Sequence, residues 1–379
     1  MQKRYSLKDN YLYVDGLRAL AAIYILIHHI VRYNYSDLDA LARFIQAFFQ
    51  YGHYTVDVFI VISGFCLMLP VLNNHYHLPK GIFNFYKRRF KRIYPVYLIA
   101  CLLSLASICT VIGKNTATMW DLSLPVTPAA IITHIFLIQD LFYSTIYKLN
   151  FILWSVAVES RIYIIFPLLV WCCRKWSVPV TLVLSVGLSA AIWGVLMLWY
   201  KINPDVAVGS AGVHPYIILF CSGMLAAYLS FKQNEVKLPW VAILTGFILI
   251  QILLEFSNRG MTFKDVNIGF CAMSLLIAIE KSRNHSFNIR WVEKALSTKY
   301  LVFFGTYAYS IYLFHPLLLQ LFYQLVIKTT IPQSTLFYLL LTIGAAGILV
   351  ICYGLFLLFE KPFLNKRNLI TETVTNPAP

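Results

Sequence analysis

Residues 14–33 read VDGLRALAAIYILIHHIVRY, a stretch apolar enough to cross a bilayer except for Arg18 and the histidines near its end. An Arg at mid-membrane costs about 2.5–3.5 kcal/mol on insertion scales, so an intramembrane Arg is read as functional until shown otherwise. Arg18 and His29 are eleven residues apart. At about 100° per residue that is close to three helical turns, so the two share one face about 16 Å apart, while His28 is turned about 100° away. A polar stripe of this kind suggests a helix lining a hydrophilic path through the membrane.

The rest of the chain agrees with that reading. Of 379 residues, 59% are hydrophobic and only 12% charged, and the mean hydropathy is +0.70. A soluble domain carries about a quarter charged residues, so the expected fold is all-α, a polytopic membrane helix bundle. The net charge of +15 is assigned to basic cytoplasmic loops and not to nucleic acid. The eight cysteines (Cys66, Cys101, Cys109, Cys172, Cys173, Cys221, Cys271 and Cys352) fall almost entirely in apolar segments. They lack metal-ligand spacing and read as small buried hydrophobes, with no metal site and no disulfide expected. The basic N-terminus (Lys3, Arg4, Lys8) precedes an apolar stretch too long, and interrupted by Arg18, to be a cleaved signal peptide. It reads as a retained first helix.

Apolar windows begin near residues 13, 53, 94, 151, 178, 214, 238, 265, 301 and 336, which predicts about ten transmembrane helices. Residues 129–141 are too short to span and predict a re-entrant or interfacial segment. With ten crossings and both termini cytoplasmic, 21 Lys and Arg fall inside and 8 outside, as the positive-inside rule asks. An eleventh crossing at 129–141 would move the basic 281–299 loop outside. Outer residues 34–52 carry Leu38, Leu41, Ile45, Phe48 and Phe49 at helical spacing, the pattern of a helix lying along the interface. No linker, repeat or second domain is visible, so residues 1–379 read as one membrane-embedded domain with a short cytoplasmic tail at 364–379. The expected site is the cell (inner, cytoplasmic) membrane.

Several further constellations could carry chemistry. Ser155, Glu159 and Tyr163 recur every four residues and put a hydroxyl, a carboxylate and a phenol on one helix face. This face is expected at the depth of His29, so that carboxylate and imidazole could meet as a general-base pair. The run Phe85 to Pro95 contains Lys87, Arg88, Arg89, Lys91 and Arg92, guanidiniums suited to phosphate and to a polyphosphate such as coenzyme A. His53, Asp57 and Ser63 form another group, with His53 and Asp57 one turn apart. Tyr309, Tyr312 and His315 make a polar patch inside a later span. Each feature also has a plainer reading. Arg18 could pair with Asp15, Lys87–Arg92 could anchor topology, and Glu159 could neutralise a buried Arg. Asp57 could cap a helix, Trp154 could be an aromatic-belt anchor, and the Tyr309 to His315 group could be packing.

These residues carry a resemblance. Asp15-Gly16-Leu17-Arg18 followed by His29 resembles the Arg, ten residues, His signature of the acyltransferase 3 family of integral membrane acyltransferases. Residues 56–65 (VDVFIVISGF) resemble its second-helix motif, and Arg89 with Arg92 its Arg-x-x-Arg loop. Trp154-Ser155 with Glu159 and Tyr163 is similar to its Trp-Ser, Glu, Tyr motif. Tyr309 to His315 and Glu360-Lys361-Pro362-Phe363 match two late motifs, so the resemblance runs in order over residues 12–363. Where many members carry Glu-Glu-Gln, this chain has Glu159-Ser160-Arg161, so no second carboxylate role transfers.

The resemblance implies transfer of an acyl group, usually acetyl, from cytoplasmic acyl-CoA to a hydroxyl of an envelope glycan across the membrane. It implies His29 as base or transient acyl carrier, Glu159 as its assistant, and Arg18 as the group steadying the thioester carbonyl or pantetheine arm. Arg89 and Arg92 would hold the CoA phosphates, with Arg88 helping, and Asp15, Asp57, Ser63, Trp154, Ser155, Tyr163, Tyr309, Tyr312 and His315 would support the site. The expected partners are acetyl-CoA as donor substrate, a glycan or lipid-linked glycan and the bilayer, with no permanently bound cofactor and no nucleic acid; a homo-oligomer is left open. The rival reading is a transporter or flippase of an acyl or glycan-lipid substrate, since intramembrane Arg, Asp, Glu and His also line transport paths.

Overall fold

The computed structural model describes residues 11–364 except 34, 36, 209–212, 232–237, 258–259, 283–288 and 327–330. The basic residues Lys3, Arg4, Lys8, Lys232, Lys237, Arg259, Arg283, Lys328, Lys366 and Arg367, used in the loop-charge comparison, lie outside the described residues.

The helices are α1 (Leu12–Val31), α2 (Ala40–Phe48), α3 (Tyr54–Leu72), α4 (Gly81–Ser107), α5 (Pro128–Ile135), α6 (Trp154–Lys175) and α7 (Val178–Ile202). They continue with α8 (Val213–Phe231), α9 (Trp240–Glu255), α10 (Met261–Ser282), α11 (Arg290–Leu296), α12 (Lys299–Thr306), α13 (Ala308–Val326), α14 (Gln333–Leu339) and α15 (Ala345–Leu355). Among the described residues the extended backbone is limited to one isolated bridge between Phe142 and Val206. Among the described residues, seven helical segments are long and apolar enough to cross a bilayer, the last being Gln333–Phe363, which runs α14 into α15. An eighth arises if α12 and α13, bent by 69° at Tyr307, are one broken span. Two shorter apolar helices, Pro215–Ser230 and Trp240–Glu255, complete the set. The protein is a multi-pass helical membrane protein.

Its outer surface fits that medium. Val183, Val195 and Leu198 on α7, Leu253 on α9 and Val350 on α15 are mostly exposed. Apolar groups facing outward on this scale call for a lipid solvent. Inside the bundle, α3 and α8 cross with backbones close together. A Cβ at Gly64 would sit 2.1 Å from the Phe220 carbonyl oxygen, and one at Gly223 would sit 2.0 Å from that of Val61. Two glycines thus let backbone meet backbone, the small-residue packing that joins helices where no water drives them together.

Three features depart from, or add to, what the sequence predicts. The basic run expected as a loop lies on α4, which continues as a helix through Ile112, 32 residues in all. At about 1.5 Å per residue this helix is about 48 Å long against a hydrocarbon core of about 30 Å, so its basic first turns project beyond the lipid. The 129–141 segment holds most of an eight-residue α-helix, α5, started by Pro128 and capped by Thr127, whose side chain accepts from the Ala130 N–H, followed by a short 3-10 turn at Gln139–Leu141. It is pinned against α4, with Tyr94 Oη donating to the Ile135 carbonyl (2.9 Å) and Tyr97 Oη to that of His134 (3.0 Å). The chain then returns to α6, where Gln139 Nε2 donates to the Leu153 carbonyl. Lastly, the interfacial pattern in residues 34–52 becomes α2, whose Leu41, Phe44 and Phe48 are exposed. The Ala42 N–H donates to Asp39 at the head of α2, and this bond, followed by that from Tyr338, holds the Asp39 carboxyl below its ordinary range.

Candidate functional site

The stripe on α1 faces the interior. Arg18 is held by Asp15 one turn earlier (2.8 Å) and reaches Cys66 Sγ on α3 (3.3 Å). The ion pair with Asp15 is therefore real, yet it leaves Arg18 lining a cavity of about 390 Å³. The α6 face predicted from spacing lines the same cavity, with Ser155, Glu159 and Tyr163 all on its wall. Ser63 Oγ donates to Glu159 Oε1 at 2.7 Å, and Tyr163 Oη donates to the same oxygen. Glu159 does not neutralise Arg161; that guanidinium pairs with Asp140 on the opposite side of α6.

From α4, Arg89 and Arg92 complete the wall at one end. Because they are three residues apart on a helix, they share a face. The Arg89 guanidinium stacks 5.6 Å over the Tyr163 ring and 6.0 Å over that of Phe85. Its Nε is buried with no hydrogen-bond partner. A second cavity, of about 790 Å³, is lined by Lys80, Lys87, Arg88, Arg89, Lys91 and Arg92 among others. Leu67, Arg89 and Arg92 line both cavities. The arginine pair thus lines both a broad basic cavity, the vestibule, and a smaller chamber inside the bundle. Arg88 lines only the vestibule and donates to the Pro79 carbonyl (3.2 Å).

α13 forms the remaining wall. Tyr309 Oη donates to the Ile93 carbonyl (3.2 Å), tying α13 to α4. Tyr312 Oη lies 2.6 Å from Ser155 Oγ, tying α13 to α6. Ser310 donates to Glu360 (2.5 Å), which brings the last motif to the same chamber. Sequence reasoning had quoted Glu360 in a motif without placing it in the site, and had left Cys66 aside as packing; both line the cavity.

His29 and Glu159 are not brought together. The His29 ring stacks on His315 (5.2 Å between centroids, 29° between planes) and meets Phe151 edge-on at 5.2 Å. It is buried and is not among the residues lining the chamber. The reason is depth. Tyr312 and Ser155 meet at one level; His315 lies three residues further along α13 in one direction and Glu159 four residues along α6 in the other. At about 1.5 Å per residue that puts the two groups about 10 Å apart along the bundle, on either side of the Tyr312–Ser155 bond.

The remaining supporting residues are scattered. Asp57 is buried on α3, where it faces Asp265 of α10, and one of its oxygens has no hydrogen-bond partner. It caps nothing, since no side-chain bond caps the start of α3. His53 stacks against Tyr54 (3.9 Å) and its Nε2 has no partner, so it makes no bond to Asp57. Trp154 packs on Tyr216 (5.9 Å).

Comparison with known proteins points one way. Residues 11–357 match the family described as an acyltransferase domain. The chain is 27% identical over 355 residues to a Staphylococcus aureus (strain COL) protein named "Putative O-acetyltransferase", an alignment covering 86% of this chain and 53% of the relative. It is 26% identical over 325 residues to the O-acetyltransferase OatA of S. aureus (strain NCTC 8325 / PS 47), covering 80% of this chain and 49% of that protein. The chain thus spans about half the length of these curated relatives. No solved structure matches it.

Proposed function

Because this chain belongs to the acyltransferase 3 family of integral membrane acyltransferases, we propose that it is a membrane O-acyltransferase. It takes an acyl group, acetyl in the first instance, from acyl-CoA at the basic face and passes it to a hydroxyl of an envelope glycan on the other side. The observation that carries this reading is the pair Arg89 and Arg92, which lines both the basic vestibule and the intramembrane chamber. The vestibule suits the phosphates of a nucleotide thioester, since guanidinium forks bind phosphate in pairs. The chamber suits the pantetheine arm and the acyl end.

The topology follows from the same reading. Ten crossings, counting the broken α12–α13 span and the two short helices, put both termini and the vestibule on the cytoplasmic side of the cell membrane. Arg18 and Glu159 then lie part-way across and His29 near the far side.

The residues divide the work accordingly. Arg88, Arg89 and Arg92 hold the donor phosphates. Arg18, already neutralised in part by Asp15, presents its remaining N–H groups to the pantetheine arm where it passes through the chamber. Glu159, fixed by Ser63 and Tyr163, holds the inner wall in place around the acyl arm. The acceptor oxygen attacks the carbonyl carbon as His29 takes its proton; the C–O bond forms, the C–S bond breaks and CoA leaves as thiolate to be protonated. His29 works beyond the Tyr312–Ser155 bond, so the acyl end must reach that level.

Protein purified in nanodiscs tests this directly. Consumption of acetyl-CoA with release of free CoA, lost in His29→Ala and in Arg89→Ala, is the expected result. Movement of label without thioester cleavage would make it a transporter instead.

A further inference from the structure

The far side of the Tyr312–Ser155 bond holds a layer of polar groups that the donor pathway does not use. Trp120 Nε1, Gln320 Nε2, His315 Nε2 and His29 Nδ1 are all buried without a hydrogen-bond partner. They belong to one contiguous set. The Trp120 ring lies 6.1 Å from Phe151, Phe151 lies 5.2 Å from His29, and His29 stacks on His315. Thr118, two residues before Trp120, donates to Gln320 Oε1 (2.8 Å), and Tyr33 Oη donates to the same oxygen (3.1 Å). The amide oxygen of Gln320 is thus committed, and its N–H groups remain free.

The histidine is fixed in the same way. His315 Nδ1 is 2.9 Å from the carbonyl oxygens of both Ile311 and Tyr312. Carbonyls only accept, so Nδ1 carries the proton and Nε2 presents a bare lone pair. Trp120, Gln320 and His315 are 1%, 0% and 0% exposed, and a buried polar atom without a partner is destabilising. Groups of this kind gathered in one layer call for a partner, ordered water or a ligand, that supplies the missing bonds.

We infer that this layer is the acceptor subsite, and that it takes an uncharged, hydroxyl-bearing ring. The assignment rests on the acyltransferase reading above. Trp120 and Gln320 offer donors and His315 offers an acceptor, the complement of hydroxyl groups that both donate and accept. Phe151 offers apolar surface to the ring's C–H face. Trp120, Phe151, His29, His315 and Gln320 include no Lys, Arg, Asp or Glu, so an ionised ligand would lose its hydration here with no counter-charge inside the layer itself. The titratable groups facing His315 are His29 and His28 from α1, with Arg32 one turn on, and Tyr312 on its own helix. The loop side contributes Trp120 and Phe151, which do not titrate.

The test uses full-length protein in nanodiscs with acetyl-CoA and three sugars of similar size: methyl β-glucoside, glucuronate and glucosamine. Trp120→Phe keeps the ring against Phe151 and removes the N–H; Gln320→Met keeps the volume and removes the amide. Each is expected to raise the KM for methyl glucoside about tenfold, with the KM for acetyl-CoA and its acceptor-independent hydrolysis within twofold of the parent. Methyl glucoside is expected to exceed both charged sugars at least tenfold in kcat/KM. Unchanged acceptor KM, an equal rise in donor KM, or equal use of the charged sugars overturns the assignment. If either variant fails to accumulate, deuterium uptake of the parent protein decides. Methyl glucoside should slow exchange in residues 116–123 and 146–153, and no protection there refutes the subsite. A parent protein that never cleaves acetyl-CoA refutes the acyltransferase reading, while the exchange measurement still judges the subsite separately.

Discussion

Tyr312 Oη and Ser155 Oγ lie 2.6 Å apart, and this single bond joins α13 to α6 at the level that separates Glu159 and Arg18 from His29 and His315. Both residues line the chamber, so the bond is the last polar contact an acyl arm meets before the histidine pair. Tyr312→Phe keeps the ring packed edge-on against Phe59 and removes only the hydroxyl. Assembly should be unaffected, because the loss of one hydrogen bond costs about 1 kcal/mol. Turnover should fall about tenfold or more with the KM for acetyl-CoA unchanged. Steady-state kinetics beside a thermal melt of the same preparation reads both quantities.

Arg89 and Arg92 line both cavities, so on the proposed reading their loss should be felt by the donor alone. A charge-assisted bond is worth about 1.5–3 kcal/mol, and Arg92→Ala should therefore raise the KM for acetyl-CoA about ten- to a hundredfold. Added salt should weaken donor binding in the parent more than in the variant, since phosphate attraction is screened. Arg88 lines only the vestibule, and Arg88→Ala should have the smaller effect. Titrating acetyl-CoA at two ionic strengths distinguishes these outcomes.

The sequence made some of this architecture readable and hid the rest for a physical reason. The Ser155, Glu159, Tyr163 face and the Asp15–Arg18 pair were legible because helical periodicity is local. The pairing of His29 with Glu159 failed because it depended on depth. α6 begins at Trp154 well inside the bundle, after residues 113–153 have folded against α4 and α1 through Tyr97, Asn150 and Phe151. Irregular backbone at such depth is tolerated only when protein surrounds it, and composition does not reveal what surrounds a segment. α4 also runs through Pro95 without ending, because a proline inside a membrane helix is accommodated by its neighbours.

Gly64 and Gly223 place α3 against α8 with backbones in contact. α3 carries Ser63 and Cys66 to the chamber, so this crossing sets one wall of the site. A methyl group at either position would approach a carbonyl oxygen of the partner helix to 2.1 or 2.0 Å, and backbone cannot yield as a side chain can. Gly64→Ala should lower the melting temperature and the yield of folded protein, with Gly64→Leu failing to assemble. Gly246, which has open space around it, serves as the control and should accept alanine with no loss. Fluorescence-detected size exclusion of the three variants measures this.

Asp140 and Arg161 form an ion pair buried beneath the returning loop, the carboxylate fully enclosed and Arg161 partly so. Asp140 precedes α6 by 14 residues and Arg161 lies two turns inside it, so the pair clamps the re-entrant segment to the helix that carries Glu159. Removing one member leaves the other charge unpaired in a medium that cannot hydrate it, a loss of about 3–5 kcal/mol. Removing both leaves no bare charge. Asp140→Asn and Arg161→Leu should therefore each lower thermal stability sharply, while the double variant recovers part of the loss. Acetyl transfer should follow the folded fraction in all three, since neither residue lines the chamber. Activity lost at full stability would instead assign the pair a direct part in the chemistry.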